Sequence, residues 1–453
     1  MKFQITFLIL INFSIEYITI PFTSSLTNIE NNLSPTEFML RMFSNELTTK
    51  IKIGTPNQNL NFYLDFNSYI TYILNSNLKD IKSEEKYYNS QSSTYKEYNN
   101  NKEINFILNS FDSGFNSSDF FKLNDKMNEI VLKFILVTKI NKDTILNYAG
   151  SIGFGPINYE KNDYNEGNLI YQLKKQNLTE NYMFTLIFNK NNYNGRIIFG
   201  KNIYEKYSDD LFHSSNIVYN YKYVWGWNYF TVFFCNYITS IRSVFIKPNI
   251  GFCIAHSNLK DEISRNLKQS ISRKKCYEDT IKIYNFFYCD EDVNLDFLNF
   301  NLTNAHNIRI KLNYKDLTKV YNGKRYILIL FNNLFSSYEL HIGLPLLKKY
   351  DLIFDQDKKI IGFYNFKIDY KDDYDDEDEK EKEKDDANKK KEEKKIFPED
   401  ENKVNYKLYF VFLLVFLIFV ILYCFFTFYR QNKRKRRNRL HKKDFEYEIF
   451  DKI

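Results

Sequence analysis

Between residues 47 and 366 the chain alternates short aromatic and β-branched runs with Asn, Asp and Gly breaks. That is the period-2 pattern of strands separated by turns, so this region is predicted to be mostly β. Two stretches of helical period interrupt it, at 167–175 before the Asn177 turn and at 261–274. The run Leu-Asn-Phe-Tyr-Leu-Asp-Phe-Asn-Ser-Tyr-Ile-Thr-Tyr-Ile-Leu at 60–74 reads as the start of a hairpin, yet Asp65 sits inside it. Burying a carboxylate among such residues costs several kcal/mol unless it is paired or hydrogen-bonded. Either Asp65 faces a cleft or the local strand assignment fails.

The pattern changes at both ends. Residues 408–429 carry no charge and have Tyr near both ends, which predicts one transmembrane helix. Of the residues 371–395, 22 of 25 are charged, a composition that solvates rather than folds. Lys2 followed by the apolar run 3–13 reads as a secretory signal peptide ending near residue 21, with an uncleaved anchor as the alternative. The expected organisation is a signal peptide at 1–21, a short N-terminal segment at 22–45, the mostly β region at 46–366, a stalk at 367–407, the span at 408–429 and a tail at 430–453.

Composition adds a constraint on turns. The chain has 37 Tyr and 43 Phe but 13 Gly and 7 Pro, so Asn must take many left-handed turn positions. The net charge of +7 comes from the basic cluster 430–443, which leaves the rest slightly acidic and argues against a nucleic-acid partner. Positive charge directly after the span places the C-terminus in the cytosol, and hence 22–407 in a lumenal or extracellular space. The expected product is a single-pass type I membrane protein of the plasma membrane or endolysosomal system, with the lipid bilayer as a partner. Sequons at Asn32, Asn116, Asn177 and Asn301 fit a glycoprotein in that compartment. On its oxidising side lie Cys235, Cys253, Cys276 and Cys289, which allow three pairings; Cys276 and Cys289 bracket one short polar loop and are the expected disulfide. In the tail, Tyr447-Glu448-Ile449-Phe450 resembles a tyrosine-based sorting signal read by a clathrin adaptor. No zinc spacing, phosphate loop or dinucleotide fingerprint is present, so no metal or cofactor is expected.

The surroundings of Asp65 carry a resemblance. Ile53-Gly54-Thr55-Pro56-Asn57-Gln58, an apolar strand and then Asp65 resemble the first lobe of pepsin-like aspartic peptidases, where such a segment leads into a catalytic Asp-Thr-Gly loop. Ser92-Ser93-Thr94-Tyr95, Ala149-Gly150-Ser151-Ile152-Gly153-Phe154-Gly155, Arg196–Gly200 and Ile342-Gly343-Leu344-Pro345 followed by Phe354-Asp355 and Ile361-Gly362-Phe363 resemble further landmarks in the family's order. The resemblance implies a mostly β, bilobal fold, with lobes at 46–205 and 206–366 after a short N-terminal or pro segment at 22–45, an inter-lobe cleft and one Asp from each lobe. Two adjacent carboxylates cannot both ionise, so one stays protonated while the other deprotonates the attacking water.

Here the motif departs from the family's. The first loop reads Asp65-Phe66-Asn67, and the second is expected at Cys253-Ile254-Ala255, which puts Cys253 where the second Asp belongs. Phe111-Asp112-Ser113-Gly114 copies the motif literally but falls where the family has its flap, and Ile107 then occupies the flap tyrosine position. Phe66, Asn67, Ile107, Ile254 and Ala255 are accordingly the expected cleft and flap residues. Three readings follow: a catalytically impaired pseudoprotease that binds extended polypeptide, a working endopeptidase with an unusual site, and a membrane scaffold with no use for the cleft.

Overall fold

The computed structural model describes residues 18–364, apart from 30–31, 79–85, 99–110, 126, 141–147, 157–165, 190–192, 205–211, 218–223, 305–308, 333–335 and 337. The signal segment up to residue 17, Ile107, the stalk, the 408–429 run and the tail with Tyr447 and Phe450 lie outside the described residues. Among those described, no helix is long and apolar enough to cross a membrane.

Strands dominate, in sheets of 13 and 11 strands. Alternation builds them: Leu47–Ile53 buries every second side chain, and so does Arg309–Asn313. The larger sheet is not confined to the first half of the chain. The hairpin Leu352–Asp355 and Ile360–Tyr364 pairs onto Met183–Phe188, which pairs with Asn194–Phe199, and that strand with Thr19–Ser24. The last described strands of the chain thus share a sheet with the first.

The predicted helices form at Leu169–Lys175 and Asn258–Ser272. Asn168 caps the first, its side chain accepting from the Tyr171 amide, and Asn177 then adopts φ +57°. Among the described residues Asn32, Asn177 and Asn322 have positive φ, but Tyr, Cys and Lys fill the other six such non-glycine positions, so Asn carries fewer left-handed turns than composition suggested. A third helix, Pro35–Phe43, forms within the expected N-terminal segment. Ser34 and Glu37 form a capping box with Pro35 at the first turn, and Phe38, Met39 and Met42 are fully buried. Phe38 stacks on Tyr321, and Phe43 packs on Phe252 and Tyr284. The described residues between 22 and 45 are therefore packed into the domain, and the expected boundary at 21 falls inside the strand Thr19–Ser24.

Cys276 and Cys289 face each other across the hairpin Cys276–Ile281 and Tyr284–Asp290 and are disulfide-bonded. Cys235 and Cys253 are free thiols.

Candidate active site

Asp65 ends the strand Gln58–Asp65, which runs parallel to Gly150–Gly153 with Asp65 opposite Gly153. The chain then turns through Phe66, Asn67 and Ser68. Asp65 Oδ1 accepts from the amides of Asn67 at 2.8 Å and Ser68 at 3.2 Å, so this buried carboxylate fastens its own loop. Phe66 does not face a cleft: it is buried and stacks on Phe154 with ring centroids 5.3 Å apart. The chain returns as Tyr72–Leu74, antiparallel to Gly150–Gly153, with Tyr72 opposite Ser151.

The second half repeats this arrangement. Tyr237–Ile246 runs parallel to Glu339–Ile342 with Ile246 opposite Ile342, and Cys253–His256 returns antiparallel with Ile254 opposite His341. Glycine closes both copies. A Cβ on Gly153 would lie 2.4 Å from the Tyr69 carbonyl carbon, and one on Gly343 would lie 2.2 Å from the Ile250 oxygen.

Matching the two copies through these glycines puts Tyr72 against Ile254. The residue one step beyond Ile246, Lys247, then stands where Asp65 stands. Tyr72 follows Asp65 by as many residues as Ile254 follows Lys247, so both glycine-anchored turns have the same length.

The second triplet is therefore Lys247-Pro248-Asn249, and the expected Cys253-Ile254-Ala255 is corrected. Cys253 corresponds to Thr71, just before the first half's return strand, is 1% exposed and donates its amide to the Leu328 oxygen at 2.9 Å. Burial pushes its thiol up to about 12. Ile254 and Ala255 are buried strand residues rather than cleft residues. The nearby His256 turns its Nδ1 to the Asn258 amide, at 3.2 Å, in a local turn.

The two loops meet. Lys247 Nζ donates to Asn67 Oδ1, and Asn249 Nδ2 donates to the Leu64 oxygen at 3.0 Å and to the Tyr63 hydroxyl. From the inserted helix, the Met42 oxygen accepts from the Gly251 amide at 2.8 Å, and Asn45 Nδ2 reaches the Pro248 oxygen at 3.1 Å. Burial lowers the Lys247 ammonium to about 8, while the Asp65 charge pulls the other way. Burial and then the Lys247 charge lower His341 to about 4. Tyr63, Tyr72 and Tyr148 surround Asp65. Burial raises each phenol, and the Asp65 charge adds to it. The rings of Tyr63 and Tyr148 stack at 5.1 Å.

At the base of the flap region, Asp119 accepts from Tyr87 and Thr94, each at 2.5 Å, and Ser92 Oγ accepts from the Thr55 amide at 3.1 Å. Asp112 lies in the strand Phe111–Lys122, at a register shift against Ile130–Ile140, and not on a loop opposite Asp65.

A family model described as Eukaryotic aspartyl protease matches residues 46–366. The chain belongs to the eukaryotic aspartyl protease family. No curated protein matches it closely enough to count as a relative. As an aspartyl protease family member it keeps the paired loops and the glycines that close them, but holds Asp65 opposite Lys247 rather than opposite a second Asp. The sequence reading missed Lys247 and Asn249. The usable signal was the repeat of an apolar residue and glycine, Ile152-Gly153 and Ile342-Gly343, each paired with the end of a strand. Asn116 and Asn177 are exposed, and Asn301 is half-buried on the strand Asn299–Thr303.

Proposed function

We propose that this protein holds extended polypeptide between its two halves without hydrolysing it, and does so on a membrane-anchored, lumenal or extracellular domain. The observation that carries the reading is Lys247 in the position symmetric to Asp65. Acid proteolysis needs two like charges sharing one proton. An ammonium beside a carboxylate does the opposite: it favours the ionised acid and leaves no proton to share. Lys247 is mostly protonated at neutral pH, so an ammonium and not a second carboxyl group stands there.

The same pair suits binding. A carboxylate accepts from a peptide N–H and an ammonium donates to a peptide C=O, so Asp65 and Lys247 offer one complementary group each to a passing backbone. Phe66 and Pro248 add no hydroxyl at the second position of either triplet, which also argues against turnover.

The direct test incubates the purified protein with a denatured protein substrate from pH 3 to 9. No cleavage is expected at any pH, and a transition-state analogue carrying a statine-like hydroxyl should not bind. Turnover that disappears in Asp65→Ala would establish a working endopeptidase instead. Lys247→Asp alone should restore little activity, because Phe66, Asn67, Pro248 and Asn249 remain.

The apolar run at 408–429 and the basic cluster after it support the anchored topology. In the proposed cytosolic tail, Tyr447 and Phe450 form an adaptor motif that cycles the protein through the plasma membrane and endolysosomal system. Tyr447→Ala should raise the surface fraction of a tagged protein, and an unchanged distribution would remove the sorting claim.

A further inference from the structure

The outer face of the second half's sheet carries an apolar pair in line with a sequon. Four strands lie side by side in the order Tyr237–Ile246, Gly226–Phe234, Asn299–Thr303 and Arg309–Asn313. Their register sets Ile238 opposite Phe233, Phe233 opposite Asn301, and Asn301 opposite Lys311. Alternation decides which way this row points. The flanking Val232, Phe234, Leu302, Ile310 and Leu312 are buried in the core, so the row faces outward. Ile238 is 62% exposed and Phe233 is 37% exposed. Thr303 of the same sequon lies one row along on the same face, opposite Thr231 and Arg309.

Directly opposed side chains have Cβ atoms about 4.5–5.5 Å apart. The Asn301 amide is therefore next to the Phe233 ring, with Ile238 one strand further on. Across the strands, a sugar attached to Asn301 meets Lys311 on one side and Phe233 on the other. A pyranose has an apolar C–H face that packs on an aromatic ring, and covering exposed apolar surface favours the Phe233 side. The Cys276–Cys289 disulfide, on a hairpin farther along the same sheet, fits a chain that folds in an oxidising compartment, where such attachment occurs.

We propose that Asn301 carries an N-linked glycan whose first sugar covers Phe233 and Ile238, so that the modification masks an apolar patch on the sheet. This is independent of what the cleft binds.

The test uses the full chain produced in a eukaryotic secretory host. Glycopeptide mass spectrometry should find Asn301 occupied in most molecules. Asn301→Gln and Thr303→Ala, which remove the glycan in different ways, should each raise binding of an apolar-surface dye by about twofold and promote self-association. Adding Phe233→Ser and Ile238→Ser to Asn301→Gln should return both to the glycosylated level. If the single variants are not secreted, enzymatic removal of the glycan from folded protein supplies the same comparison. An unoccupied Asn301 overturns the proposal. So does an occupied Asn301 whose removal leaves dye binding and monodispersity unchanged.

Discussion

Lys247 reaches across from the second half of the domain to hydrogen-bond the side-chain oxygen of Asn67, so its ammonium group lies beside the loop that Asp65 fastens. One half's turn is thereby tied to the other's by opposite charge. A pair of carboxylates in these places would repel unless a proton joined them.

The cost of holding that amine in place should be visible as a pH dependence. Its value in the fold is about 8, against about 10.5 unperturbed. Between those values the unfolded chain binds more protons, so the protein gains stability as pH rises from 8 and loses it as pH falls through 8. Urea unfolding of wild type and Lys247→Met at pH 7.5 and 9.5 should show wild type gaining about 1–3 kcal/mol relative to the variant at the higher pH, after discounting for partial exposure. Asp65→Asn removes the opposing attraction and should push the Lys247 titration, followed by NMR, still lower. A titration that stays at 8 in that variant would mean the two groups do not interact.

His341 supplies a separate acid-side signature. Burial holds it at about 4, below its ordinary 6.5, so its contribution is complete above 6.5 and is lost as pH falls through 4. Wild type should lose about 1–3 kcal/mol of unfolding free energy relative to His341→Phe between pH 7 and pH 4. A constant difference would contradict the burial argument.

A second tie between the halves involves Tyr193, a buried phenol that accepts from Lys319 and Lys348. Burial opposes its ionisation, but the two lysines outweigh that and lower it below an ordinary phenol. Hydrogen bonds to charged groups contribute about 1.5–3 kcal/mol, so Tyr193→Phe should lower unfolding stability by roughly that amount. A loss below about 0.5 kcal/mol would place these lysines among exposed, screened contacts.

Thiol chemistry should sort the four described cysteines. Cys276→Ser with Cys289→Ser opens a short loop and should cost about 2–4 kcal/mol in unfolding stability. Burial pushes both free thiols, Cys253 and Cys235, up to about 12, so an alkylating reagent at neutral pH should label neither until the protein unfolds. Rapid native labelling of Cys253 would place it in an open cleft after all.

Much of the fold was legible because its landmarks are local. Gly54, Gly153 and the Ile342-Gly343 pair stand in short apolar contexts that only tight turns and close strand crossings require, and Asp65 stands out against its apolar flanks. The disulfide was readable from its bracketed loop. Lys247 was not, because its place depends on parallel pairing with Glu339–Ile342, far along the chain, and a search for an acid followed by small residues passes over Lys-Pro-Asn. The expected Cys253-Ile254-Ala255 lies instead on the return strand Cys253–His256. The helix Pro35–Phe43 escaped for a related reason: its apolar face is explained only by rings such as Tyr321 and Tyr326 that it meets in the second half.

The sheet that joins Thr19–Ser24 to the hairpin ending at Tyr364 has a consequence for biosynthesis. A ribosome must deliver nearly the whole domain before that sheet can be completed, because its closing strands are made last. Pairings of such long sequence separation form late and slowly. Until they form, the nascent chain exposes the unpaired edge of Met183–Phe188, which invites association with another strand. A release of the chain before residue 352 would leave that edge open permanently, so premature termination should yield an aggregating product rather than a smaller folded one.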